Sequence, residues 1–261
     1  MATHFKGPIL YSAARKGLEN LQVGVWPDQA VFLDDFTGIA LDATNDWTVT
    51  GIALDATNDW TVLKDTSATV AISADVATGV LDLTSQATTD NDGASIQANE
   101  IWQLPTTAGE KLYFESRFYL ATTSGDSVGQ MDVWVGLCEN FATHPENAFL
   151  AANRIGFQLD DGSSLTRLIS ESGGTETETE LAAAYNLTDN LYVTLGFIAT
   201  KGTSTDTVAY YLNRSLVGTH TTNIPTDLMT TAMVEISGDA TGTKSMGIDY
   251  IVAAVDRGVT Y

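Results

Sequence analysis

The sequence predicts an all-β protein, a two-sheet antiparallel sandwich preceded by an extended N-terminal arm. Three observations predict it. From Phe32 onward, short runs rich in Val, Ile, Tyr, Phe and Thr alternate apolar and polar residues with period two. Clusters of Gly, Asp, Asn, Ser and Thr punctuate the runs, and no long helical pattern intervenes between them. Strands in this number without crossover helices have to bury their apolar faces against one another, which gives a sandwich.

Taken in order, residues 1–31 form a separate segment. Gly7, Pro8, Gly17, Gly24 and Pro27 are scattered among isolated apolar anchors, so no single period survives, and the segment is expected either to lie extended against a partner or to tuck as an N-terminal strand under its own sheet. It also differs in charge. The chain carries 12 Lys+Arg and 33 Asp+Glu for a net −21; residues 1–24 hold Lys6, Arg15 and Lys16 against Glu19 alone, so they carry +2 and the remainder −23. An acidic body of that size repels nucleic acid and anionic membrane surfaces, and neither is expected as a partner. No apolar run approaches the roughly 20 residues of a membrane helix, and the opening residues lack the apolar stretch of a secretion signal, so synthesis in a cytoplasm is expected.

Residues 32–261 are read as the sandwich domain. Near its start, TGIALDATNDWTV is written twice without a mismatch, over residues 37–49 and 50–62. Thirteen is odd, so a single strand running through both copies would turn every side chain of the second copy to the opposite face. The repeat must instead be a protruding loop or two short strands joined by turns at Ala43–Asp46 and Ala56–Asp59. Trp47 and Trp60, one in each copy, are candidates for an interface or for stacking on sugars, with at least one expected in the core. Further on, KLYFESRFYL places Leu112, Phe114, Ser116, Phe118 and Leu120 on one face and Lys111, Glu115 and Arg117 on the other. Glu146–Asn153 and Glu180–Leu187 are short helical candidates. The run ETETE at Glu176–Glu180 reads as a solvated loop tip.

The order of these runs resembles the concanavalin-like or laminin-G-like jelly roll. The resemblance is carried by LDDF, GVLDLTS, KLYFESRFYL, the strand with Trp134 and Gly136, NRIGFQLDDG, and the late phrase AYYLNRSLVGT at residues 209–219. The opening ATHFKGPILYSAA resembles short N-termini of structural proteins of tailed bacteriophages. That second resemblance implies a head decoration, or cement, protein on the outer surface of the virion. It would bind the major capsid protein and itself, as a homotrimer, with His4, Phe5, Lys6, Ile9, Tyr11, Arg15, Lys16 and Trp26 as the contact residues. A carbohydrate-binding module, in a tail fibre or displayed on the head towards host-surface glycans, is the alternative.

Catalytic chemistry is not expected. Retaining glycosidases of this fold need two carboxylates about 5–5.5 Å apart in one cleft. On MDVWVGLCE, Asp132 and Glu139 are an odd number of residues apart and face opposite sides of an unbroken strand. No phosphate-binding glycine loop, G-x-S-x-G or H-E-x-x-H occurs. Cys138, the single cysteine, lies among apolar residues and is expected to be a buried, inert thiol. His4, His144 and His220 lack the spacing of a transition-metal site. Asp90, Asn91 and Asp92, and likewise Asp160 and Asp161, could supply calcium ligands but read more simply as turns, so no metal or other cofactor is expected.

Overall fold

The computed structural model describes residues 60–256 apart from 74–78, 87, 89, 124–126, 146–150, 238 and 240, together with the backbone of three earlier strands. Those three are β1 (Gln29–Asp34), β2 (Ile39–Leu41) and β3 (Trp47–Val49). Fourteen more follow: β4 (Thr61–Lys64), β5 (Thr69–Ile72), β6 (Leu81–Thr84), β7 (Gly93–Gln97), β8 (Lys111–Thr122), β9 (Met131–Cys138), β10 (Arg154–Leu159), β11 (Arg167–Ser172), β12 (Thr175–Glu180), β13 (Val193–Thr200), β14 (Thr207–Leu212), β15 (Ser215–His220), β16 (Thr230–Ser237) and β17 (Lys244–Asp256). They form two large antiparallel sheets, as the alternating patterns predict. One runs β15-β14-β13-β8-β17-β6-β5, with β1 added to β17; the other runs β12-β11-β10-β9-β16-β7-β4.

The thirteen-residue strand β17 organises the first sheet. One edge pairs with β8 from Lys244↔Thr122 to Val255↔Leu112. The other edge is shared, with β6 taking Ser245–Ile248 and β1 taking Ile251–Asp256. β1 begins at Gln29, so the sheet takes in the last three residues of the segment read as an arm, and residues 1–28 lie outside the described residues.

Between the sheets, the parity read from KLYFESRFYL holds: Leu112, Phe114, Phe118 and Leu120 are all in the core. Phe114 stacks on Phe197 of β13 with centroids 5.5 Å apart, and Phe157 of β10 meets Tyr210 of β14 edge-to-face at 5.6 Å. The Tyr210 hydroxyl donates 2.7 Å across the core to the Ile169 carbonyl of β11, so a polar atom is satisfied while it ties one sheet to the other.

The two copies of the duplicated unit meet different fates. In the first, Ile39–Leu41 pairs with Trp47–Val49 as a separate two-stranded ribbon, the paired short strands of one of the two forms expected. In the second, Trp60 is buried in the main core and Thr61–Lys64 joins the seven-stranded sheet through β7. Identical residues thus take different partners, because what surrounds a strand decides its pairing more than its propensity does.

Two expectations are corrected. Glu176–Glu180 is not a loop tip but part of β12, the edge strand of the seven-stranded sheet; the tip is Gly173–Gly174, both at positive φ, the geometry of a tight hairpin turn. Its strand character was hidden because nearly every residue of β12 faces solvent, which erases apolar alternation and protects the edge with charge. The helical candidate at Glu180–Leu187 is a single 3-10 turn, Ala183–Tyr185. Most of the other candidate, Glu146–Asn153, lies outside the described residues.

The centre of the seven-stranded sheet depends on a facing glycine pair, Gly136↔Gly156. A Cβ on Gly156 would stand 2.4 Å from the Val135 carbonyl oxygen and 3.0 Å from the Trp134 ring. Gly156→Ala is expected to cost roughly 1–3 kcal/mol in a denaturant titration; an unchanged midpoint would mean that the sheet relaxes freely there.

Candidate functional site

β9 lies at the centre of the seven-stranded sheet, so its outward residues set what the middle of the outer face presents. Trp134 and Cys138 point outward, since Met131, Val133, Val135 and Leu137 fill the main core. Asp132 shares their parity. Register then places Arg154 and Gln158 of β10, Arg167, Ile169 and Glu171 of β11, and Glu176 and Glu178 of β12 on the same face.

These side chains form a connected polar ladder. Arg154 donates to Glu171 at 2.6 Å, to Gln158 at 3.0 Å and to Glu176, while its guanidinium lies over the Trp134 ring at 5.4 Å. Arg167 pairs with Asp160 at 2.5 Å and with Glu178 at 3.5 Å. Glu171 and Glu176 are cross-strand partners bridged by one guanidinium, which keeps two like charges compatible. Partial burial raises the Glu176 carboxyl above its ordinary value, against the pull of Arg154.

The described ends of the connection from β9 to β10, residues 139–145 and 151–153, lie against this face. Phe141 and Ala151 pack with Trp134, Cys138 and Ile169 in a second apolar cluster. Glu139, past the end of β9, accepts from the Ala152 N–H at 3.0 Å and the Asn153 amide at 2.7 Å, so it anchors the return of that connection. Phe141 exchanges two backbone hydrogen bonds with the Gln97 side chain, at 2.8 and 2.9 Å. Beside it, a cleft of about 510 Å³ opens between β4 and the connection, lined by Val62, Leu63, Lys64, Asp65, Ala142, Thr143 and His144.

Cys138 is fully buried, and burial pushes its thiol well above the ordinary range, as expected of an inert thiol. In the Asp-rich loops, the carboxylates of Asp92 and Asp160 are engaged by the protein itself. Asp92 accepts from the Gln86 N–H at 2.8 Å, Asp160 holds Arg167, and the Asp161 N–H donates to Asp132 at 2.7 Å. Among the described residues, no three His, Cys, Asp or Glu side chains are grouped to hold a metal ion. His220 is buried and hydrogen-bonded to Ser170 at 2.9 Å and Thr179 at 3.0 Å. Of the aromatic pair, Trp60 is 2 % exposed and takes the anchoring role, which removes it as a stacking residue. For Trp47 only the backbone, in β3, is described. His4, Phe5, Lys6, Ile9, Tyr11, Arg15, Lys16 and Trp26 lie outside the described residues.

Sequence reasoning missed the ladder and the cleft. Arg154, Glu171 and Glu176 acquire meaning only through register, and Asp65 and His144 meet only through the fold. No helix among the described residues is long and apolar enough to cross a membrane.

No protein-family model matches this sequence, and no curated protein matches it. Solved structures do match in shape. An endo-1,3-β-glucanase from Streptomyces sioyaensis aligns with a TM-score of 0.57 at 14% identity, covering 89% of this chain and 98% of that one. Peanut lectin, solved with a nine-residue peptide, gives 0.57 at 11% identity over 89% and 100%. The carbohydrate recognition domain of Emp47p gives 0.55 at 10% over 88% and 98%. The chain therefore has the concanavalin-like jelly-roll fold, the architecture of both lectins and glycoside hydrolases. At these identities the likeness is one of fold, and function has to be argued from the site.

Asp132 supplies a pH signature. Burial pushes its carboxyl up to about 6, with the Asp161 N–H pulling the other way and the charges of Asp160, Asp161 and Asp90 adding to the rise. Between pH about 4 and 6 the native state then holds a proton that the unfolded chain has released, so this group's contribution to stability is present below pH 4 and lost as pH rises through 6. Asp132→Asn keeps an oxygen for the Asp161 N–H and is expected to raise Tm at pH 8, with the gain shrinking towards pH 4. A lower Tm at pH 8 would mean that the carboxylate is stabilising.

Proposed function

We propose that this chain is a non-catalytic surface protein, a bacteriophage head-decoration protein of the kind its first residues resemble. Its basic arm attaches to the major capsid protein, and its acidic sandwich self-associates, as a trimer, on the outside of the virion. The observation that carries the non-catalytic reading is the centre of the seven-stranded sheet. Where a retaining glycosidase of this fold needs two carboxylates flanking a scissile bond, the outward side of β9 carries Asp132, Trp134, Gly136 and Cys138. The indole and thiol are sealed beneath Phe141 and Ala151, and the neighbouring Glu171 and Glu176 are held by Arg154. Attachment is supported by the split of charge, +2 in residues 1–24 against −23 in the remainder, which suits docking of the arm on acidic neighbours with the body outward.

Glycan binding is a second reading, favoured by the cleft between β4 and the β9–β10 connection. Asp65 and Thr143 give it polar groups and Val62 and Leu63 an apolar wall, the mixture that sugar recognition uses. Emp47p and peanut lectin lend it the fold alone.

Two measurements test these readings. The purified protein is expected to release no reducing ends from β-1,3-glucan or mixed-linkage glucan at any pH between 4 and 9, and steady turnover would refute the non-catalytic reading. Reversing charge in the full chain with Lys6→Glu, Arg15→Glu and Lys16→Glu is expected to weaken attachment to expanded heads by roughly tenfold or more. Unchanged attachment would remove the arm from the interface.

A further inference from the structure

We infer that the outer face of the eight-stranded sheet, around Arg117, Tyr192 and Leu216, is the surface through which the sandwich binds a second copy of itself. The inference deepens the self-association in the proposed function and rests on that reading.

Parity sets what this face presents. On β8, Phe114, Phe118 and Leu120 fill the core, so Glu115, Arg117 and Tyr119 point outward. Register carries that side from Glu115 across Gly196 of β13 to Tyr211 of β14 and Leu216 of β15. On β17 the break in register between Ile248 and Tyr250 adds a residue beside Arg117. Asp249 and Tyr250 both reach this side, where Asp249 pairs with Arg117 and the Tyr250 hydroxyl donates to Glu115 at 2.6 Å.

A second irregularity serves the same face. β14 and β15 are joined by the two-residue turn Asn213–Arg214, at φ 48° and 66°. Such a turn favours Asn followed by Gly, so arginine is held there against its backbone preference. Its guanidinium stands 3.7 Å from Glu115 Oε1, while Glu115 Oε2 is buried without a hydrogen-bond partner.

The side chains here are of the types that carry binding energy. The Arg117 guanidinium lies 4.0 Å over the Tyr192 ring, and Tyr119 meets that ring edge-on at 5.1 Å. Stacking orders them in advance, so less freedom is lost on contact. They are nevertheless open to solvent: the Arg117 side chain and Tyr192 are each 40 % exposed, Leu216 58 % and the adjoining Leu191 61 %. Exposed leucines beside a prepared Tyr–Arg surface mark a contact.

Charge selects the occupant. Residues 25–261 carry −23, so two copies repel each other through most of their surface. On this face two arginines, Arg117 and Arg214, stand against Asp82, Glu115 and Asp249, a net −1, and Asp82 is engaged by the Tyr119 hydroxyl at 3.1 Å. A second acidic body can approach here without meeting bare like charge, whereas a basic partner would be drawn to the acidic remainder.

The test is sedimentation velocity of the full chain over a range of concentrations, for wild type, Leu216→Glu, Arg117→Glu and the control Ile101→Glu. Ile101 is equally exposed, at 58 %, but lies past β7 of the other sheet. Wild type is expected to form a multimer. Leu216→Glu and Arg117→Glu should each raise its dissociation constant by roughly tenfold or more, with Ile101→Glu leaving it unchanged. A multimer indifferent to both face variants, or equally sensitive to Ile101→Glu, would overturn this face and leave self-association standing. A wild type that stays monomeric at every concentration would overturn both. If the variants do not fold, hydroxyl-radical footprinting of wild type decides: protection of Leu191, Tyr192 and Leu216 in the multimer relative to the diluted monomer supports the face, and unchanged labelling overturns it.

Discussion

Everything in this fold hangs on the pairing of β8 with β17. These are the two longest strands, and between them they gather segments from the beginning, middle and end of the chain into one sheet. β17 holds β6 and β1 on its far edge while β8 holds β13, so an error of register at this seam would misplace five strands together. The register is pinned by alternation. Phe114, Phe118 and Leu120 have to face the core, opposite Met246, Ile248, Ile251 and Ala253 of β17, and a shift of one residue would turn them outward. A break in register between Ile248 and Tyr250 lets the strand bend midway without losing its partner.

The strands of this seam were legible because both are long and rich in apolar residues, and β8 alternates in sequence even though burial reaches both of its faces. Legibility failed where a strand buries almost nothing. β12 exposes almost all its residues, so its Glu and Thr carry no information about which face is inward. The duplicated unit failed for another reason, since WTV is strand-like in both copies and only the tertiary setting decides that one pairs locally and the other completes the seven-stranded sheet. At the site, the parity argument on β9 was sufficient to find Asp132 without a second outward carboxylate on that strand. The ladder of Arg154, Glu171 and Glu176, and the meeting of Asp65 with His144, needed strand order and register that a single sequence does not carry.

The same physics bears on what the protein does. A cleft that turns over substrate has to keep charged groups exposed and accurately placed. Here the centre of the face is spent on packing an indole against glycine, a guanidinium and a covering connection, which makes it part of the stable body. A scaffold used in this way leaves its edges and surfaces for binding. It can also accommodate an extra hairpin-sized unit, because β2 and β3 form a sheet of their own.

The central claim, that this is an outer-surface component of a phage head, is most directly tested by counting. Quantitative mass spectrometry of purified particles should find the chain in a fixed ratio to the major capsid protein, at a level set by the capsid lattice. A handful of copies per particle, or none, would contradict the account and place the chain's work at a tail or away from the virion.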